Sequence, residues 1–389
     1  IRGVNDASNV SSQGINVTLG EVSTSGTLEI QQSSHTSIDV NLQSVTSTKT
    51  TSDGLQATLA SGAGESTINF VGDITTYGSN IHLVTDNVVI SNDIIIDTIA
   101  TNSSSGDLNF SGIVSSVDAQ GNRLTLNTGT LLNLNVDFSK FSNVSELVID
   151  SDKRLSVGDT NVASSLNFTQ SVFNDMAGAS DSITFSTIDD ILSTNLNTGT
   201  DLIFVADSDQ TGDVLTLTGF TSTNASLGIT ANTGTDLTNL DLGTGSLNLI
   251  AIDETLSMGF GNALLSDIQF SEAQVNSWNV GSVTSTNADS YEIRDLTTAH
   301  DFFLGDATQV VLIEGTTNTL GSVDINGLSS TINSNVITTT GNINLATVNE
   351  INLNGNLMSV DSITVLPGTQ VNLGADTNIE AVNTLTTYL

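Results

Sequence analysis

The chain has 389 residues, with 42 Asp+Glu against 7 Lys+Arg, no Cys, one Pro and a formal net charge of -35 at pH 7. A nucleic-acid binder neutralises phosphates with clustered Lys and Arg. The basic residues here, Arg2, Lys49, Arg123, Lys140, Lys153, Arg154 and Arg294, are nearly all isolated, which excludes nucleic acid and anionic membrane surfaces as partners. The lack of Cys removes disulfide frameworks, thiolate zinc sites and cysteine nucleophiles, while 37% hydrophobic residues and a mean hydropathy of +0.10 supply a core.

Polarity comes mainly from Ser, Thr and Asn, which fill roughly two-fifths of the chain and favour strands and turns over helix interiors. Residues 15 to 138 form a succession of short alternating segments, such as Ile15-Val17-Leu19, Ile38-Val40-Leu42, Ile68-Phe70, Ile81-Leu83 and Leu124-Leu126. This is the period-2 pattern of strands with one buried face. INVTLGEV at 15 to 22 is answered by IDVNLQSV at 38 to 45, and INFVGDI at 68 to 74 by LNFSGIV at 108 to 114. Hairpin dipeptides such as Asp53-Gly54 and Asn326-Gly327 are too few to join these strands as a meander or sandwich.

Residues 139 to 320 have a different texture. Eleven of the 13 Phe lie from Phe138 to Phe303, together with Trp278, Met176 and Met258. The spacing predicts a wider core filled by large side chains, or an irregular insertion with one or two short helices, one of them near Glu272-Ala273-Gln274-Val275. A separate subdomain with contacts to a partner is the alternative. Asn-Thr-Gly-Thr-Asp-Leu at 197 to 202 recurs at 232 to 237, and Asn-Thr-Gly-Thr at 127 to 130, so one corner turn continues throughout.

Residues 321 to 389 give the clearest repeat. Ile325, Ile343 and Ile363 open similar segments, and Ile332, Ile351 and Val371 form a second series at nearly the same period of about 20. Two interleaved series predict at least two strands per turn of a coil. The fold expected is all-β, a parallel β-solenoid with rungs of drifting period at 1–138, a divergent or inserted Phe-rich region at 139–320 and regular rungs at 321–389.

Two segments, GDLNFSGIVSSVDAQGNRLTLNTGT at 106 to 130 and SNIHLVTDNVVISNDIIIDT at 79 to 98, resemble the repeats of large bacterial secreted adhesins of the filamentous-haemagglutinin and autotransporter type. The resemblance lies in texture and covers residues 10 to 140 and 320 to 389 better than the middle. It implies a right-handed parallel β-helix at the cell surface and carries no functional residue. Low Lys and absent Cys fit that extracellular location. No apolar run approaches the roughly 18 residues of a membrane span, so membrane insertion is not expected.

Chemistry-bearing motifs are few. His35, His82 and His300 have no metal-ligand companion at i+2 to i+4 and read as surface or corner residues. Asp189-Asp190, taken as strand neighbours, would face opposite sides and make a poor glycosidase pair. In Asp207-Ser208-Asp209-Gln210-Thr211-Gly212-Asp213, carboxylates at positions 1, 3 and 7 around a Gly turn suit oxygen ligation of Ca2+. Asp207, Asp209 and Asp213 are therefore the candidate metal residues, against a solvated acidic turn. The Thr-rich run Leu215 to Thr223 reads as a strand with an exposed Thr face.

Alternating apolar residues continue to Ile379, Val382, Leu385 and Leu389 without a charged cap helix, so the coil ends are expected to meet other copies. The function expected is an extracellular, non-enzymatic structural protein that self-assembles into a cell-surface filament, sheath or layer by solenoid stacking or strand addition. A stalk or binding segment of a large secreted adhesin, with cell-surface glycans as partners, is one alternative. A glycan-acting enzyme on a β-helix is another.

Overall fold

Strict apolar and polar alternation sends one set of side chains inward and the other outward, and a strand so patterned is stable only when neighbours cover its inner face. The computed structural model describes residues 2–3, 15–32, 37–50, 53–59, 65–98, 106–116, 121–127, 134–152, 154–158, 165–208, 212–222, 225–368 and 370–387. They fall into two compact units, Ile1–Asp189 and Asp190–Leu389. Within each unit the described strands pair in parallel, most of them with a segment one coil turn away, as in Ile15–Thr24 with Ile38–Ser47 and Ile343–Thr347 with Ser362–Pro367. The chain is an all-β parallel β-solenoid.

In the first unit, the similarity of segments 15–22 and 38–45 is a true rung partnership. Ile15, Val17, Leu19 and Val22 stand opposite Ile38, Val40, Leu42 and Val45. The second similarity is not. Ser66–Phe70 pairs with Ile38–Ser47 and Asn87–Ile90, whereas Leu108–Phe110 lies in another sheet, between Asn80–Val84 and Leu134–Val136. An apolar-polar-apolar triplet fits either side of a coil, so local likeness alone does not assign the side.

One rung of this unit changes form. Ile38–Ser47 is faced on the next turn by two shorter strands, Ser66–Phe70 and Ile74–Thr76. The chain bends between them at Gly72, where a β carbon would stand 1.7 Å from the Gln43 carbonyl oxygen. Backbone hydrogen bonding continues through the bend, with the Val71 N–H donating to Leu42 O at 2.9 Å and the Val45 N–H to Asp73 O at 3.0 Å. Helix α1, Gln170–Ala179, starts at Thr169, whose side chain accepts from the Val172 N–H. It buries Phe173 and Met176 completely, and Phe168 and Phe173 approach Phe185 at 5.1 and 6.4 Å between ring centroids.

In the second unit each late rung carries three strands. Val323–Gly327, Ser329–Ile332 and Asn335–Thr338 are followed by Ile343–Thr347, Glu350–Leu353 and Leu357–Ser359, then by Ser362–Pro367, Gln370–Leu373 and Ile379–Ala381. The columns run Val323, Ile343, Ile363; Ser330, Ile351, Val371; and Val336, Leu357, Ile379. The steps from Ile343 to Ile363 and from Ile351 to Val371 are those expected, but Ile325 faces Leu345 and Ile332 faces Leu353. The sequence reading slips two residues there because a period-2 pattern repeats itself at that offset.

The Phe-rich region supplies core. Phe260 lies 5.6 Å from Phe270 and 5.2 Å from Phe302, and Phe270 lies 5.6 Å from Trp278. The Trp278 indole N–H donates to Leu237 O at 3.1 Å, which satisfies the polar atom of a buried ring. Helix α2, Glu272–Val275, forms where expected. Its capping box pairs the Ser271 hydroxyl with the Gln274 N–H and the Gln274 side chain with the Ser271 N–H.

Candidate functional site

The acidic loop of the second unit folds back on its own backbone. Asp207 follows strand Asp201–Val205, adopts a left-handed φ of 57° and is only 4% exposed. Its Oδ1 accepts from the Gly212 N–H at 3.0 Å and its Oδ2 from Asn232 Nδ2 at 2.9 Å. The same Asn232 amide donates to the Asp213 carbonyl at 2.6 Å. Asp207 thus fastens the loop to the corner carrying Asn232. Asp209 lies outside the described residues. Asp213 is half-buried, and its carboxylate comes within 4.8 Å of that of Asp190, which also accepts from the Val214 N–H at 2.8 Å. Asp189-Asp190 occupies the bend after Ser180–Thr187 rather than a strand, so the opposite-faces argument does not apply to it.

Asn232 belongs to one of the recurring Asn-Thr-Gly-Thr segments. Its Oδ1 accepts from the Gly234 N–H and the Thr235 hydroxyl, which explains the local sequence: a short amide side chain closes the turn and Gly lets it tighten. Thr128, Gly129 and Thr130 of the earlier copy lie outside the described residues. Thr216 and Thr218 of Leu215–Thr218 point outward, and the Thr218 and Thr238 hydroxyls meet at 3.2 Å across one rung.

His82 is half-buried on Asn80–Val84, and His35 lies outside the described residues. His300 is half-buried rather than a surface residue. Its Nε2 lies 3.0 Å from Val275 O, at the end of α2. Burial pushes its pKa below the usual imidazole range, against opposing backbone hydrogen bonds from Val275 and Trp278.

A charge network that the sequence reading missed lies on Ser290–Arg294 and Val310–Glu314. The Glu292 side chain is 8% exposed. Its Oε2 accepts from the Leu265 N–H and the Ser266 hydroxyl, each at 2.8 Å, and its Oε1 from Arg294 Nε at 2.7 Å. Arg294 also bonds Glu314, whose Oε1 accepts from Asn333 Nδ2 at 3.3 Å. Burial pushes Glu292 upward, but the Leu265 and Ser266 donors and Arg294 outweigh it and hold the carboxyl below its usual value. The signal was available: Glu292 and Glu314 flank Arg294 at intervals of two residues and one rung, which only a known period makes visible.

Outward Asn residues stack. Asn41 Nδ2 donates to Asn16 Oδ1 at 2.8 Å, Asn69 Nδ2 to Asn41 Oδ1 at 2.9 Å, and Ser91 Oγ to Asn69 Oδ1 at 2.6 Å. Asn372 to Asn352 and Asn354 to Asn333 repeat the contact at 2.7 and 2.8 Å in the second unit. Against this polar surface the second unit carries an aliphatic groove of about 560 Å³, lined by Ile337, Met358, Val360, Ile379, Val382 and Leu385 among others. Val360 is 46% and Val382 74% exposed. A polar recess of about 410 Å³ is lined by Glu254, Asp289, Asp306, Thr308 and Gln309. There the Asp306 carboxylate is turned onto the Thr308 N–H and hydroxyl.

No protein-family model, curated protein or solved structure matches this chain.

Proposed function

We propose that this chain is an extracellular structural β-solenoid whose copies associate into a cell-surface filament, sheath or layer. The observation that carries this reading is the outward aliphatic patch of Ile337, Met358 and Val360, with Met358 in register on Ile337, on a coil whose other outward positions are chiefly Ser, Thr, Asn and Asp. Contiguous exposed aliphatic surface on a polar background is what a packing contact between copies uses. The Asn stacks support the same role, because amide ladders lock rung to rung without any ligand. Few Lys with abundant Thr and Asn suit an extracellular setting, and the adhesin resemblance points there too.

A formal charge of -35 makes packed copies repel. Assembly is therefore proposed to need divalent cations such as Ca2+, for which Asp213 and its neighbour Asp190 are the nearest paired carboxylates. The test is sedimentation and electron microscopy of the purified chain with Ca2+ and with a chelator, alongside Val360→Asp and Met358→Asp. Ordered oligomers that fall apart in chelator and in both variants, with unchanged circular dichroism, are expected. Monodisperse single chains in every condition would sink the assembly reading and leave the adhesin segment.

A further inference from the structure

Four successive rungs of the first unit place Asp97, Asn127, Asp150 and Ser186 in direct register on one outward column. Adjacent strands lie about 4.8 Å apart, so outward side chains in register reach one another. The column is rich in acceptors and short of donors. Asn127 Oδ1 is buried and has no hydrogen-bond partner, an arrangement that costs free energy wherever it occurs. Asp150 stands next to it, bonded to the Ser186 side chain and the Ser151 backbone. An ionised Asp150 offers Asn127 Oδ1 only another acceptor, whereas a protonated one carries the missing O–H.

It is burial of Asp150, not the charges around it, that favours protonation. Among the described residues, the charged groups on the strands packed around Asp150 are Asp97, Arg123, Glu146 and Asp181, with Asp152 and Arg154 on the segment that follows. Arg123 lies 3.6 Å from Glu146, which also accepts from the Thr184 hydroxyl. On Ser180–Thr187 the half-buried outward positions Ser182, Thr184 and Ser186 carry no charge, and the exposed Asp181 is the one acid of that strand. Burial holds the Asp150 carboxyl above its usual range, against the Ser186 and Ser151 hydrogen bonds. Burial and then the Asp150 charge do the same to Asp152.

We propose that this column is a proton-operated clasp: Asp150 takes up one proton from solvent and donates it in a hydrogen bond to Asn127 Oδ1, tying two rungs of the first unit together. The sign follows from linkage. A carboxyl raised above its unfolded value binds a proton that the unfolded chain does not, so the stabilisation is full below the unfolded pKa and is lost as pH rises through the folded one.

The experiment measures urea midpoints of the full chain from about pH 8 to about pH 4, for wild type, Asp150→Asn, Asn127→Ala and the double variant. Asp150→Asn supplies a permanent N–H donor. It is expected to exceed wild type at neutral pH, with the gap closing as pH falls. Asn127→Ala is expected to cost roughly threefold to tenfold in the folding equilibrium at low pH and little at neutral pH. Carbon-13 NMR of aspartate-labelled wild type and Asn127→Ala gives a second readout that needs no Asp150 variant. One elevated aspartate titration is expected, moving down when Asn127 is removed. Parallel midpoint curves for wild type and Asp150→Asn, or a titration indifferent to Asn127, would overturn the clasp. So would stabilisation by Ca2+ at neutral pH that Asp150→Asn abolishes, because the column would then be a cation site.

Discussion

Asn318 is the most consequential single polar side chain of the second unit. It is completely buried, its Oδ1 accepts from the Leu296 N–H at 2.9 Å, and its Nδ2 donates to Glu314 O at 2.9 Å and to Ser334 Oγ at 2.8 Å. Replacing it by Leu keeps the volume and strands a backbone N–H, a carbonyl and a hydroxyl. Each stranded group costs about 1–3 kcal/mol. The hydroxyl can rotate toward another acceptor, so the sum expected for Asn318→Leu is about 3–5 kcal/mol. The exposed Asn354, with one 2.8 Å bond to Asn333, is the control, and Asn354→Ala should cost at most about 0.5 kcal/mol. Urea denaturation followed by circular dichroism measures both, with hydrogen exchange at Leu296 and Thr298 reporting whether the corner opens locally. An Asn318→Leu midpoint within about 1 kcal/mol of wild type would refute the idea that these corners are held by satisfied buried amides.

Arg294→Ala leaves Glu292 buried without its cation and should destabilise by about 3 kcal/mol at neutral pH, read from urea midpoints. Because the Glu292 carboxyl is held low, its contribution is present above the unfolded carboxyl pKa and fades as pH falls through the folded value, so the variant should show a flatter acid limb. Ser330 sits between Val311 and Ile351 with a buried hydroxyl that has no partner, so Ser330→Ala should be neutral or stabilising by up to about 1 kcal/mol in thermal melts. Gly72→Ala drives a methyl into the Gln43 carbonyl and should cost about 3 kcal/mol or more, with protection lost first at the Val45 and Val71 amides in hydrogen exchange.

Solenoid class was legible because inward positions are mostly apolar, with small Ser and Thr between them, and the pairing of Ile15 with Ile38 could be read from spacing alone. The third strand of the late rungs was not. Asn335–Thr338, Leu357–Ser359 and Ile379–Ala381 contribute mainly Val336, Leu357 and Ile379 to the column, beside small Thr338, Ser359 and Ala381. A strand with one large inward residue, followed by an outward Ile337 or Met358, has no alternation to detect. Helix α1 hid for a related reason: QSVFNDMAGA contains weak helix formers and buries chiefly Phe173 and Met176, one turn apart. At the acidic loop, spacing showed three carboxylates near a Gly turn. It could not show that Asn232, 25 residues beyond Asp207, closes on the Asp207 carboxylate and the Asp213 backbone carbonyl, because that contact exists only once the coil has wound.

The bend at Gly72 has a consequence for how such a coil varies. A ten-residue strand, Ile38–Ser47, serves as template for two strands set at an angle, and the amides of Val45 and Val71 stay bonded across the junction. Girth can therefore be altered between one turn and the next while the backbone ladder runs on unbroken. The requirement is one residue without a side chain, so a thicker or thinner stretch is a local edit to the sequence, not a boundary between folds.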